Sequence, residues 1–171
     1  MGMDVFGTAP TSEAGEYFRR SVWGWRPLAD FILAEASDEA AGCLYWHSND
    51  GDGLGAAEAV KLADRLQQAV ADGTAAAWVL SRDATLGALP DETCRYCAGT
   101  GSRTDAVGVQ MRMAERVCEG DDHPRRGRAG WCNGCDGRGV VRPFATHYPL
   151  EVSDVAEFAT FLRASGGFRI C

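Results

Sequence analysis

The sequence predicts an α+β fold: a small mixed helix and strand body with a four-cysteine β module inserted into it. Three observations carry this. Apolar residues recur at three- and four-residue spacing over residues 27–36, 56–72 and 154–165, the period of helices with one buried face. Short extended stretches lie near both ends, over residues 1–10 and in "FRIC", 168–171. Between them one spelling, Cys-x-x-Cys-x-Gly-x-Gly, occurs twice, as "CRYCAGTG" at 94–101 and "CNGCDGRG" at 132–139. The expected division is a body from 1–90 with 140–171, and a metal-holding module at 91–139.

Taken in order, residues 1–10 read as a strand or an irregular lead. The aromatic run holding Tyr17, Phe18, Trp23 and Trp25 precedes a first helix over 27–36, in which Pro27 suits the first turn because its missing N–H is not needed there. Cys43–His47 reads as a short strand and "SNDGDG", 48–53, as a turn. A second helix over 56–72 places Ala59, Val60, Ala63, Leu66 and Val70 on one face and stops at Gly73. "TAAAWVLSR", 74–82, reads as a strand and 83–93 as a connector. Within the module, Val107, Val109, Met111 and Met113 alternate, which predicts a strand or hairpin arm. Residues 139–152 are extended, limited by Pro143 and Pro149. Ser153 caps a last helix over 154–165, which Gly166-Gly167 ends. Cys43 and Cys171 read as buried small hydrophobes.

With 171 residues, 46% hydrophobic and 24% charged, the composition is that of a folded globular chain and not a disordered one. No apolar run is long enough to span a bilayer, and no secretory signal pattern is visible. A cytoplasmic protein with no membrane partner is therefore expected, one in which thiols stay reduced and paired cysteines hold metal. The net charge of −7 is uneven. Residues 1–93 hold fifteen acids against six bases, whereas residues 94–142 hold nine arginines against six acids. Lys61 is the single lysine, and the Arg, Ala and Gly bias points to a GC-rich genome.

The paired brackets carry the chemistry. Each Cys-x-x-Cys sets two thiolates on one tight turn, and two such turns complete the tetrahedral set that zinc takes. The glycines after each pair permit positive φ and let the backbone curl beneath the sulfurs. Cys94, Cys97, Cys132 and Cys135 are thus expected to form one closed, structural Zn2+ site, spanning the 34 residues between Cys97 and Cys132. The expected fold of the module is accordingly zinc-ribbon-like. Cys118 and His123 lie in the intervening insert and are expected to stay outside that site.

The spelling resembles the cysteine-rich zinc module of DnaJ-type co-chaperones, of which this chain has the outer repeat pair. The resemblance covers about 46 residues and implies zinc binding. His123-Pro124 is followed by Arg125, so the His-Pro-Asp tripeptide of a J domain is absent and co-chaperone activity is not implied. The flanking segments "GEYFRRSVWGWRPLADF", "YWHSNDGDGL" and "FLRASGGFRIC" resemble uncharacterised small proteins of actinobacteria and their phages, which implies no function.

Three other features invite a functional reading. Arg125, Arg126 and Arg128 make the module locally basic and suit nucleic-acid phosphate, although Asp121 and Asp122 stand ready to pair with them. Trp23, Trp25 and Arg26 suit a stacking surface, or else a packed core. His47, Asn49, Asp50 and Asp52 offer a base, an amide and carboxylates within six residues, enough for a hydrolase-like site. A calcium loop is disfavoured: with Gly53 at position 6, Ala59 stands where the bidentate acid belongs. The leading expectation is a non-catalytic zinc-binding adaptor or regulator that presents a zinc-stabilised hairpin to a protein partner. A nucleic-acid-binding accessory protein is the first alternative, and an enzyme at His47–Asp52 the second.

Overall fold

The computed structural model describes residues 2–120, 123 and 125–171. In chain order its elements are β1 (Gly2–Gly7), β2 (Tyr17–Ser21), α1 (Val22–Glu35), α2 (Ser37–Ala40), β3 (Gly53–Leu54), α3 (Ala56–Ala71), α4 (Thr74–Gly87), β4 (Glu92–Thr93), α5 (Ala106–Gln110), β5 (Val140–Val141), α6 (Val152–Ser165) and β6 (Phe168–Ile170). The fold is α+β, with two small antiparallel sheets among the described residues. The chain divides into two compact units, one of residues 1–87 with 147–171 and one of residues 88–146. No described helix is long and apolar enough to cross a membrane.

The first unit is built on a four-stranded sheet of order β2-β1-β6-β3. Side chains alternate across it as pleating requires. Met3, Val5, Phe18, Phe168 and Ile170 point into the core. On the opposite face, Phe6 and Tyr17 are direct cross-strand partners with ring centroids 5.1 Å apart. Helices α1, α3 and α6 supply the rest of the core through Trp25, Leu28, Phe31, Ile32, Leu62, Leu66, Phe158 and Leu162, all buried. Trp46 joins them: its ring lies 6.2 Å from Trp25, and the Trp25 indole N–H donates to the Trp46 carbonyl at 2.6 Å.

Several local expectations change in the structure. Helix α1 begins five residues before Pro27, because Ser21 caps it by accepting from the Gly24 N–H at 3.2 Å. Residues 74–82 are helical, the first part of α4. A short apolar run such as "AAAWVL" fits either period, and Asp72, accepting from the Thr74 N–H at 3.0 Å, starts a helix there. Cys43–His47 is a turn whose Trp46 alone enters the core with Cys43. The alternation at 107–113 produces no strand; α5 forms instead, capped by Asp105 accepting from the Gly108 N–H at 2.8 Å. Helix α6 is opened by Glu151, whose N–H donates to Asp154 at 2.8 Å, rather than by Ser153. Cys171 is exposed, not buried, while Cys43 is buried as expected. Strand β2, in the aromatic run, had no expected counterpart.

Two residues of one turn test this core. Trp46→Ala is expected to destabilise the protein by about 3–5 kcal/mol through lost burial and a cavity. Leu44→Ala, at a position 77% exposed, is expected to fall within about 0.5 kcal/mol of the parent. Urea denaturation of both variants checks the contrast.

Candidate metal centre

The second unit has almost no conventional core. Among its described residues the buried hydrophobic side chains are Cys94, Cys97, Cys132, Cys135, Met113 and Cys118. Four of those six form a single cluster, with Val141 packed beside it. Strands β4 and β5 pair Glu92 with Val141 and Thr93 with Val140, so the chain enters and leaves the unit at one place. The Cys94 N–H, donating to the Gly139 carbonyl at 2.9 Å, extends this pairing into the brackets.

The four sulfurs lie within 4.8 Å of one another. Cys94 and Cys132 Sγ are 3.8 Å apart, and Cys97 and Cys135 Sγ are 3.7 Å apart. A disulfide needs about 2.05 Å, so neither pair is bonded. Four thiolates about 2.3 Å from a central ion would sit about 3.8 Å apart at the corners of a tetrahedron. The set therefore fits a metal ion of that coordination.

The two brackets are built alike. The chain takes positive φ at Ala98, Gly99 and Gly101 after the first, and at Asp136, Gly137 and Gly139 after the second. This turn aims the last glycine's N–H at its own bracket's sulfur: Gly101 donates to Cys97 Sγ at 3.3 Å and Gly139 to Cys135 Sγ at 3.2 Å. The same glycines interlock. A Cβ on Gly101 would stand 2.3 Å from the Gly137 carbonyl oxygen, and one on Gly139 would stand 2.3 Å from that of Gly99. Thus all four glycines serve the approach of one bracket to the other, and the second of each pair is the thiolate donor.

Protonation within the cluster is uneven. Burial pushes the Cys97 thiol up, yet the Gly101 N–H, the Cys135 and Cys94 thiols and the Gly99 N–H outweigh it and hold the group at about 7. Burial dominates at Cys135, which is pushed up to about 12 despite the Gly139 N–H. Burial likewise raises Cys132, against the Gly134 N–H. Cys97 thus loses its proton more readily than Cys132 and Cys135, from which an entering cation must displace protons.

Arg125 lies on this cluster's outer side. Its guanidinium donates to the Thr100 carbonyl at 2.9 Å and to the Ala129 carbonyl at 3.0 Å. Its Cδ stands 3.0 Å from a Cβ placed on Gly101 and 3.1 Å from one on Gly137. Arg125 therefore staples the insert to the brackets and is not an open phosphate contact; Arg126 and Arg128 are exposed. Asp121 and Asp122, expected to pair with these arginines, lie outside the described residues. His123 is also structural: its Nε2 meets the Asp136 carbonyl, its Nδ1 accepts from the Arg125 N–H at 3.1 Å, and its ring packs 5.6 Å from Trp131. Neither His123 nor Cys118 joins the four-sulfur cluster, which among the described residues is the single group of three or more such ligands.

The remaining candidates fall in the first unit. Trp25 is fully buried, so its ring is core and not a stacking surface; Trp23 is 40% exposed and lies 5.0 Å from the Tyr148 ring. The polar turn divides among separate partners. Asp52 accepts from the backbone N–H groups of Leu44 at 2.6 Å, Tyr45 at 2.8 Å and Gly53 at 2.8 Å. These bonds, the Tyr45 N–H foremost, hold its carboxyl below the usual range. Asp50 accepts from the Ser48 hydroxyl, and His47 Nε2 lies 3.3 Å from Asp30. Asp52 is thus a turn clamp, and Asp30, absent from the sequence-level candidates, is the partner of His47. Compared with family models, curated proteins and solved structures, the chain matches none.

Two measurements probe the cluster. Because metal binding displaces protons from Cys132 and Cys135, affinity is expected to strengthen as pH rises through 6 to 8, by about tenfold per unit for each proton displaced. Competition with a chromogenic chelator across that range checks the sign. Gly139→Ala is expected to weaken metal binding more than tenfold, since its Cβ meets a carbonyl. Gly127→Ala, at φ +71° with nothing within 4 Å, is expected to cost only about 1–2 kcal/mol of strain and to leave affinity unchanged.

Proposed function

We propose that this protein is a non-catalytic zinc-binding adaptor, in which Cys94, Cys97, Cys132 and Cys135 hold one structural Zn2+ and the unit they organise is offered to a protein partner. The observation that carries the metal half is the buried set of four sulfurs at tetrahedral spacing, each bracket with its own N–H···S bond. An all-thiolate, closed set is the chemistry of structural zinc rather than catalytic zinc, which keeps an open position. The outer repeat pair of a DnaJ-type cysteine-rich module is the arrangement this reading extends to the chain.

The partner half rests on what the unit exposes. Val107, Val109 and Met111 on and just after α5 are 42%, 70% and 46% exposed, and Val117 is 53% exposed. Many of the unit's arginines are meanwhile engaged. Arg103 pairs with Asp105 at 2.8 Å, Arg112 with Glu115 at 3.4 Å, Arg138 with Asp136 at 3.9 Å and Arg142 with Asp91 at 3.0 Å. Arg125 is turned onto carbonyls. Apolar side chains outward and arginines paired favour a protein partner over nucleic acid.

Purified protein is expected to carry one zinc per chain by elemental analysis, and Cys97→Ser with Cys132→Ser to lose it. Removing the metal is expected to open residues 88–146 to protease while the core of the first unit stays protected. Val109→Asp is expected to abolish capture of a specific protein without loss of zinc. Salt-sensitive retention of DNA or RNA that disappears on replacing Arg126 and Arg128 would favour the nucleic-acid alternative instead.

A further inference from the structure

The first unit contains a cavity of about 320 Å³ lined by Met3, Val22, Trp25, Arg26, His47, Ser48 and Asn49. It brings together residues more than twenty positions apart in sequence, from the start of α1 and from the turn after Trp46. Its size is at the low end of small-molecule sites, about 300–1,000 Å³. We propose that this cavity binds a small oxyanion, the carboxylate or phosphate head of a compact ligand whose remainder lies against the half-buried Val22.

The charge pattern carries the proposal. Residues 1–93 hold fifteen acids and six bases, yet no acidic residue lines this cavity and Arg26 does. Asp30 on α1 and Asp50 in the turn are already engaged. Asp30 faces His47 Nε2 at 3.3 Å, which orients the imidazole, and Asp50 accepts a hydrogen bond from the Ser48 hydroxyl. Arg26 and the Asn49 amide remain as donors suited to an oxyanion, joined by His47 Nδ1 when the imidazole that faces Asp30 carries both protons.

The site is also preorganised. The Trp25 indole N–H grips the Trp46 carbonyl at 2.6 Å, and Asp52 clamps the Leu44 and Tyr45 amides. His47 therefore follows directly from a peptide tied to the residue before Arg26. Both halves of the donor set are fixed to one buried tryptophan pair, so the cavity requires little ordering when a ligand enters.

The test is a titration of the full, metal-loaded chain with propionate and, separately, with inorganic phosphate, followed by amide and indole NMR shifts. Saturable shifts confined to residues 25–26 and 46–49 are expected with at least one anion, and which one saturates names the head group. Arg26→Ala and His47→Ala, both at exposed positions, are expected to weaken binding at least tenfold each with the zinc content and melting temperature unchanged. Asn49→Ala gives a third, smaller loss. The proposal is overturned if neither anion saturates, if neutral propionamide binds as well as propionate, or if saturation survives in both the Arg26 and the His47 variants.

Discussion

Four thiols packed together out of water form an unfavourable interior unless something draws them in. A buried thiolate without a counter-charge is expensive, and the cluster at Cys94, Cys97, Cys132 and Cys135 answers this with two backbone N–H donors and a spacing that a cation could complete. Everything else in residues 88–146 follows from that arrangement. With Met113 and Cys118 as the remaining described buried hydrophobic residues, apolar burial at ~25 cal/mol per Å² has too little area to order such a segment. The glycines are there because two chains must pass within carbonyl distance of each other at the sulfurs. Arg125 and His123 are there because the loop crossing those glycines exposes carbonyls that need donors.

The first unit is held by the opposite means. Its core is continuous and aromatic, with Trp25, Trp46, Phe18, Phe158, Phe161 and Phe168 in mutual ring contact. The Trp25 indole closes a hydrogen bond inside it, at the Trp46 carbonyl. The consequence for function is a division of labour. One unit is ordered by burial and keeps a preformed cavity beside its tryptophans. The other gathers its buried side chains at four cysteines that could hold a metal ion, and it places valines and a methionine at its surface.

Much of this was legible in the residues, and the failures have physical causes. Helix α3 was visible because sixteen residues repeat one apolar face, long enough for the period to be unambiguous. Helix α4 was read as a strand because an uninterrupted apolar run has no period to read. Helix α5 was read as a strand because alternating Val107, Val109, Met111 and Met113 mimic period two, whereas the Asp105 cap and the turns around it decide the local structure. Strand β2 is exposed on three of its five residues and leaves little pattern. Arg125 looked like surface charge, since an arginine tip and an arginine staple are the same letter.

The sequence by itself determined the four-cysteine cluster, because residue type, spacing and the glycines that permit positive φ are local properties written in eight-residue words. It also determined the α+β class and the helices with a clear buried face. Only the tertiary structure decided which glycine donates to which sulfur, that Asp52 serves the backbone of Leu44 and Tyr45, and that Arg26, His47 and Asn49 line one cavity. Those are relations between segments distant in the chain, fixed by how the tryptophan core packs, and no short window of residues contains them.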